Sequence, residues 1–274
     1  MKNWIRRNLV TVILLGMMAV GAGLIAYPSI ANWWNSFHQS RAVASYASAV
    51  AGMNHEEYDD MLLEAQNYNA ELSETGAQWE MTDEQLTRYE EVLNVRGSGI
   101  MGYIDIPKIR VRLPVYHGMD DTVLEVAVGH ITGTSLPVGG ESSHCVISGH
   151  RGLPSARLFT DIDKLVEGDT WTLNILDQTL TYEVDQIRVV VPTDLSNLQI
   201  EEGKDYCTLV TCTPYGINTH RLLVRGHRVP NAQGNARITA DAIQIEPAYA
   251  APFIAAPILV ILIFLLLIST RKKR

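Results

Sequence analysis

Two uncharged apolar runs bracket the chain. The first, Leu9–Ala26, holds 18 residues, and the second, Pro247–Thr270, holds 24. About 20 apolar residues rising 1.5 Å each cross the ~30 Å hydrocarbon layer, so both runs qualify as transmembrane helices. Between them the apolar spacing first follows a helix. Tyr58, Met61, Leu62, Ala65, Tyr68 and Leu72 fall on one face of His55–Leu72, with acids on the other. Thr82 and Gln85 then form a capping box ahead of Leu86, Tyr89, Val92 and Leu93. The polar link Ser73–Met81, carrying Gly76 and Trp79, joins these two amphipathic helices, which need a surface to pack on.

The spacing changes after Gly97-Ser98-Gly99. Short β-rich runs follow, separated by turn residues: GYIDIP, VRLPVYHG, HCVISGH, TWTLNIL, TLTYEVDQIRVVVP, YCTLVTC and HRLLVRGHRV. The run TLTYEVDQIRVVV alternates apolar and polar positions, as a half-buried antiparallel strand does. Phe159–Leu165, after the Pro154-Ser155 break, reads as a helical turn. Seven such runs within about 130 residues predict a mainly β fold, a closed or nearly closed barrel preceded by helices. The organisation read from the chain is a membrane anchor over 1–38, a helical region over 39–96 and a barrel over 97–230. A linker at 231–246, a second transmembrane helix at 247–270 and a basic tail at 271–274 complete it.

Charge adds a topology. Lys2, Arg6 and Arg7 precede the first run, and Arg271, Lys272, Lys273 and Arg274 follow the second. Lys and Arg stay on the cytoplasmic side, which puts both termini inside and the middle of the chain outside. Without those seven cations, residues 8–270 carry 15 basic against 30 acidic side chains, a net charge of −15. An acidic middle excludes a general nucleic-acid binder, which needs a basic face. The alternative for the first run is a cleaved signal peptide, with Ala42-Val43-Ala44 as the nearest small-residue site, 16 residues past the run.

Three cysteines are too few for a stapling framework, and an odd number leaves one unpaired in an oxidising exterior. Cys145 and Cys207 lie among apolar or β-branched residues within strands, where cysteine acts as a small hydrophobe. Cys212 instead ends a β-run and meets the turn formers Thr213-Pro214-Tyr215-Gly216, so its side chain is placed to face a groove. A nucleophilic cysteine acts as its thiolate and needs cationic neighbours. Chain reversal through that turn brings Arg221 alongside, with Arg225 on the same strand parity. For a proton carrier, His150 sits between glycines in Ser148-Gly149-His150-Arg151-Gly152, while His117 and His130 occupy similar turn-adjacent places. A zinc site is disfavoured, because no C-x-x-C or H-E-x-x-H spacing occurs.

TLVTC (208–212) followed by an arginine on the next strand resembles the active-site motif of sortases, the cysteine transpeptidases of Gram-positive surfaces. The longer TLVTCTPYGINTHRLLVRGHR (208–228) is similar to the pilus-assembling class C members. So are LPVYHG (113–118), the stretch from Val128 to Leu165, YPSIANWWN (27–35) and the second apolar helix. The resemblance implies an eight-stranded sortase barrel with Cys212 as nucleophile, His150 as proton donor and acceptor, and Arg221 at the acyl group. Thr211 takes the place of a supporting motif threonine. Class C sortases commonly carry an Asp-Pro-aromatic lid, but residues 50–100 contain no Asp-Pro dipeptide, which leaves Trp79 as the candidate lid aromatic.

The implied reaction needs no cofactor. Cys212 cleaves an LPxTG-like sorting signal between Thr and Gly, and the thioester is resolved by a lysine amine of a pilin subunit. The implied place is the cell membrane, with the catalytic domain extracellular. The rival expectations are a sortase that attaches proteins to peptidoglycan precursor, and an idle membrane-anchored adhesin or assembly scaffold.

Overall fold

The computed structural model describes residues 8–231. The second apolar run and the basic tail lie outside the described residues, as does the linker beyond Asn231. Helix α1 (Leu9–Ala51) is 43 residues long and runs unbroken through Pro28 and past position 38. At 1.5 Å per residue it measures about 65 Å. Its first part is long and apolar enough to cross a membrane, the one such helix among the described residues. Farther along, one side turns inward and buries Val43 and Tyr46.

Helices α2 (His55–Thr75) and α3 (Asp83–Glu91) start where side chains can satisfy their free N–H groups. The Asn54 side chain accepts from the Glu57 N–H, and Thr82 and Gln85 form the reciprocal capping box. Their apolar faces, through Ala65, Tyr68, Leu72 and Tyr89, join the same core as the barrel.

Eight strands close that barrel: β1 (Ile100–Ile106), β2 (Val111–His117), β3 (Val128–His130), β4 (Ser143–Ser148), β5 (Thr170–Ile175), β6 (Gln178–Val190), β7 (Asp205–Thr213) and β8 (His220–Val229). The four-residue helix α4 (Asp121–Leu124) precedes β3. The strand order is β1-β2-β3-β4-β7-β8-β6-β5, and β1 pairs with β5 to complete the circuit. The pairs β2/β3 and β4/β7 are parallel and the others antiparallel, so the barrel is mixed.

Alternation sorts the side chains of each strand between two layers. Cys145 and Ile147 of β4, Cys207 and Leu209 of β7, and Leu222 and Val224 of β8 enter the interior. Val146, Val210 and Leu223, from the same three strands, form a separate apolar cluster with Leu198 on the outer side. Gly226 marks how closely the interior is filled: a Cβ there would lie 2.6 Å from the ring of Trp171, which is fully buried.

Candidate active site

The site is laid out by strand register. Parallel pairing sets Ser148 of β4 opposite Val210 of β7. The chain continues beyond β4 through a Gly149 N–H bond to the Val210 carbonyl, 3.1 Å long. Two residues past each member of that pair stand His150 and Cys212. On the other side of β7, antiparallel pairing sets Arg221 of β8 opposite Cys212. His150, Cys212 and Arg221 thus occupy one row across three neighbouring chain segments, at the end of the β4–β7–β8 surface.

Cys212 shares the outer face of β7 with Val210, and Arg221 shares that of β8 with Leu223. Cys212, His150 and Arg221 are all half-buried. The Arg221 guanidinium bonds the carbonyls of Asn218 and His220, at 3.3 and 3.2 Å, which braces it against the β7–β8 turn.

Thr211 locks the row together. Its buried hydroxyl donates to the Gly149 carbonyl at 2.7 Å, tying the residue before Cys212 to the residue before His150. A second tie uses Arg151, which motif spacing did not single out although it adjoins His150. Its Nη2 bonds Asp163 at 2.5 Å, its Nη1 reaches the Thr213 hydroxyl at 3.4 Å, and its guanidinium lies 6.0 Å from the centre of the Tyr215 ring. The Arg151 Nε is buried without a hydrogen-bond partner among the described residues.

The other candidates are placed elsewhere. Cys145 and Cys207 are buried partners across β4 and β7 inside the barrel, and burial, with a hydrogen bond between the two thiols, pushes the Cys145 thiol up. The His117 ring bonds the Val92 and Gly99 carbonyls at 2.7 and 3.1 Å. His130 is fully buried against Tyr89 and Ser135. Arg225 holds Asp185 through two contacts of 3.0 and 3.1 Å and stacks 4.0 Å over the Tyr206 ring. Among the described residues, no group of three or more His, Cys, Asp or Glu side chains is arranged to hold a metal ion.

The link between α2 and α3 runs along this surface. Trp79 is half-buried against the Val146, Leu198, Val210 and Leu223 cluster. The Gln78 N–H donates to the Gly133 carbonyl at 2.8 Å, and a Cβ on Gly133 would lie only 1.8 Å from the Gln78 oxygen. Only a glycine lets the link lie so close.

The model of the sortase domain family matches residues 104–229. Over 131 residues the chain is 32% identical to sortase D of Bacillus subtilis (strain 168), a match covering 47% of this chain and 63% of that protein, just under two thirds of its length. The crystal structure of sortase C1 from Streptococcus agalactiae superposes with a TM-score of 0.69 at 54% identity, over 70% of this chain and 99% of that one. The sortase C structure from Clostridium perfringens with the C-terminal cell wall sorting motif gives 0.62 at 43% identity, over 70% and 99%. With class C enzymes among its solved neighbours and the closed barrel in common, the chain belongs to the sortase family of cysteine transpeptidases.

Proposed function

We propose that this protein is a membrane-anchored transpeptidase that cleaves an LPxTG-like sorting signal between Thr and Gly and joins the new acyl end to a pilin lysine. The supporting observation is the row formed by His150, Cys212 and Arg221, reached from three segments and locked by Thr211. In the first half-reaction the Cys212 thiolate attacks the Thr carbonyl carbon. The C–N bond breaks, and His150 delivers a proton to the departing glycine amine. The product is a thioester, which stores the acyl group without a nucleotide cofactor. In the second half, the lysine amine attacks that thioester, His150 takes its proton, and the thiolate leaves as an isopeptide bond forms. Arg221, permanently charged, stabilises the oxyanion in both halves.

The outer cluster of Val146, Val210 and Leu223, beside Cys212, suits the apolar Leu-Pro half of the signal. Trp79 would then act as a lid that the signal displaces. The acidic, exported middle of the chain stands outside the cell between the apolar runs 9–26 and 247–270, with both termini in the cytoplasm.

Cells carrying Cys212→Ala should lose high-molecular-weight pilin polymer on denaturing gels, while Cys145→Ala and Cys207→Ala retain it. Polymer persisting with Cys212→Ala refutes the reading. Arg221→Lys should also lose most activity, because an ammonium lacks the planar fork. Offering purified enzyme a pilin lysine peptide and a cell-wall amine distinguishes polymerisation from wall attachment by the product formed.

A further inference from the structure

Helix α1 does more than tether. Asn32, Asn35, Gln39, Val43 and Tyr46 recur at spacings of three and four, so they form one stripe along it. The upper part of the stripe is apolar, with Val43 and Tyr46 buried. Its lower part is polar and specific. Asn32 Oδ1 accepts the Arg157 N–H at 2.9 Å, Asn35 Nδ2 donates to the Ser155 carbonyl at 3.0 Å, and Gln39 Nε2 donates to the Val126 carbonyl at 2.7 Å.

Ser155 and Arg157 belong to the loop that begins at His150. The loop is closed by the Phe159 N–H bond to the His150 carbonyl, 3.1 Å, and by the Gly152 N–H bond to the Thr160 hydroxyl, 3.2 Å. The helix that enters the membrane is therefore bolted to the loop that carries His150.

The height of that bolt follows from helix geometry. Twenty residues counted from Leu9 cross the ~30 Å hydrocarbon layer and end at Pro28. Asn32 and Asn35 then stand about 6 and 10 Å beyond it at 1.5 Å per residue. The headgroup zone is about 5–8 Å deep on each side. The outward face of this stretch presents Tyr27, Trp34 and Phe37, each at least half exposed. Trp and Tyr favour that zone because one end of each ring is apolar and the other polar.

We infer that Tyr27 and Trp34 rest at the lipid headgroup layer and that α1, through Asn32 and Asn35, fixes the His150 loop at a set height above the bilayer. The inference rests on the membrane-anchored reading above and deepens it. His150 lies five residues from Ser155, no more than about 18 Å away even along extended chain. The preferred acyl donors are then chains whose scissile bond follows their own membrane helix by a short spacer matched to that height.

The test uses full-length protein in nanodiscs of phosphatidylcholine and phosphatidylglycerol. In a Cys212→Ala background, a nitroxide on Pro154→Cys reports depth, since Pro154 is exposed while Cys145 and Cys207 are buried. Relaxation by lipid-soluble oxygen and by a water-soluble nickel complex should both register, as at a headgroup interface; a bulk-water signature overturns the proposal.

A second arm inserts Ala-Glu-Ala-Ala-Ala-Lys-Ala between Ile30 and Ala31. Seven residues add about 10.5 Å and turn the helix within about 20° of two full turns, which preserves the stripe. On a detached sorting-signal peptide the inserted enzyme should match wild type within about twofold. On a bilayer-anchored peptide with the spacer best for wild type it should fall at least about tenfold, and about three added spacer residues, at up to ~3.6 Å each, should restore it. The same spacer optimum for both enzymes overturns the proposal. Wild-type inactivity on the detached peptide would instead sink the transpeptidase reading, and the nitroxide depth would still decide the height.

Discussion

A histidine's chemistry is set by what surrounds it, and three histidines that look alike in sequence end in three different environments. His130 is the extreme. Its Nε2 lies 2.8 Å from the Ser135 carbonyl and 3.2 Å from the Thr134 hydroxyl, and its Nδ1 lies 3.0 Å from the Tyr89 hydroxyl. A carbonyl can only accept, so Nε2 carries the hydrogen, and in the neutral ring Nδ1 accepts, sharing the Tyr89 hydroxyl hydrogen with the His130 carbonyl 3.2 Å away. Burial is the main cause that pulls its pKa down to about 4, with the Ser135 bond opposing and His117 adding to the fall. In the unfolded chain the same ring titrates near 6.5. Between those values the unfolded state holds a proton that the folded state refuses, so stability drops as the pH falls from 6.5 to 4. The loss is about 1.4 kcal/mol per unit and about 3 kcal/mol in all. Urea midpoints at pH 7, 5.5 and 4.5 should show this slope in wild type and a shallower one, by about one proton, in His130→Gln; parallel slopes would refute it. Turn-adjacent spacing leaves His117, His130 and His150 equivalent because it records neighbours along the chain. The Tyr89 ring and the Val92 carbonyl that occupy the first two come from α3 and its end, some 25 to 40 residues away.

Among the elements, the periodic ones were legible from spacing and the aperiodic ones were not. Helix α2 and the capping box of α3 stand where their patterns put them, and the alternating run at 179–191 falls on the long strand β6, Gln178–Val190. Strand β3 has only three residues, too few to express a period, yet without it the sheet could not pass from β2 to β4. The outer cluster was equally hidden, since Val146, Val210 and Leu223 become neighbours only through the β4–β7 and β7–β8 registers. That cluster gives the link between α2 and α3 its place, a link that starts only at Gly76 because Ser73–Thr75 continue α2. The Gln78 bond to Gly133 and the Gln85 bond to Gln78, 3.0 Å, both fix Gln78, the residue before Trp79. If the indole fills the groove a sorting signal must enter, Trp79→Ala relieves a competition. KM for a signal peptide should then fall several-fold with kcat little changed, because only ground-state access is altered. An indole that serves packing alone would instead lower Tm and leave KM where it was. Steady-state kinetics and a thermal melt on the same preparation separate the two.

At the scale of the molecule the question is whether the long N-terminal helix and the barrel fold as one body. Sequence separates them, because the apolar run stops at Ala26 and the β-pattern starts after Gly99. The 43-residue helix crosses that gap because Asn32 through Tyr46 meet loops and strands far along the chain, a cause invisible to local periodicity. Tyr46 is the joint. Its hydroxyl donates to the Met101 carbonyl at 2.8 Å, within a register shift of β1, and accepts the Leu176 N–H at 2.7 Å, in the two-residue turn between β5 and β6. Those two backbone groups, one where the ladder is interrupted and one where the chain reverses, would otherwise be buried without a partner. Tyr46→Phe keeps the ring but orphans both, for about 1–3 kcal/mol. Tyr46→Ala also empties a volume bounded by helix and barrel, for about 3–5 kcal/mol. At about 2–4 °C per kcal/mol for a chain of this size, Tyr46→Phe should lower Tm by several degrees and Tyr46→Ala by roughly twice as much or more. In both variants a single transition should move, because α1 docking and barrel closure share these bonds. A melt that splits in two, with the barrel's transition at its wild-type temperature, would show that the helix is only attached to the barrel and does not help to hold it shut.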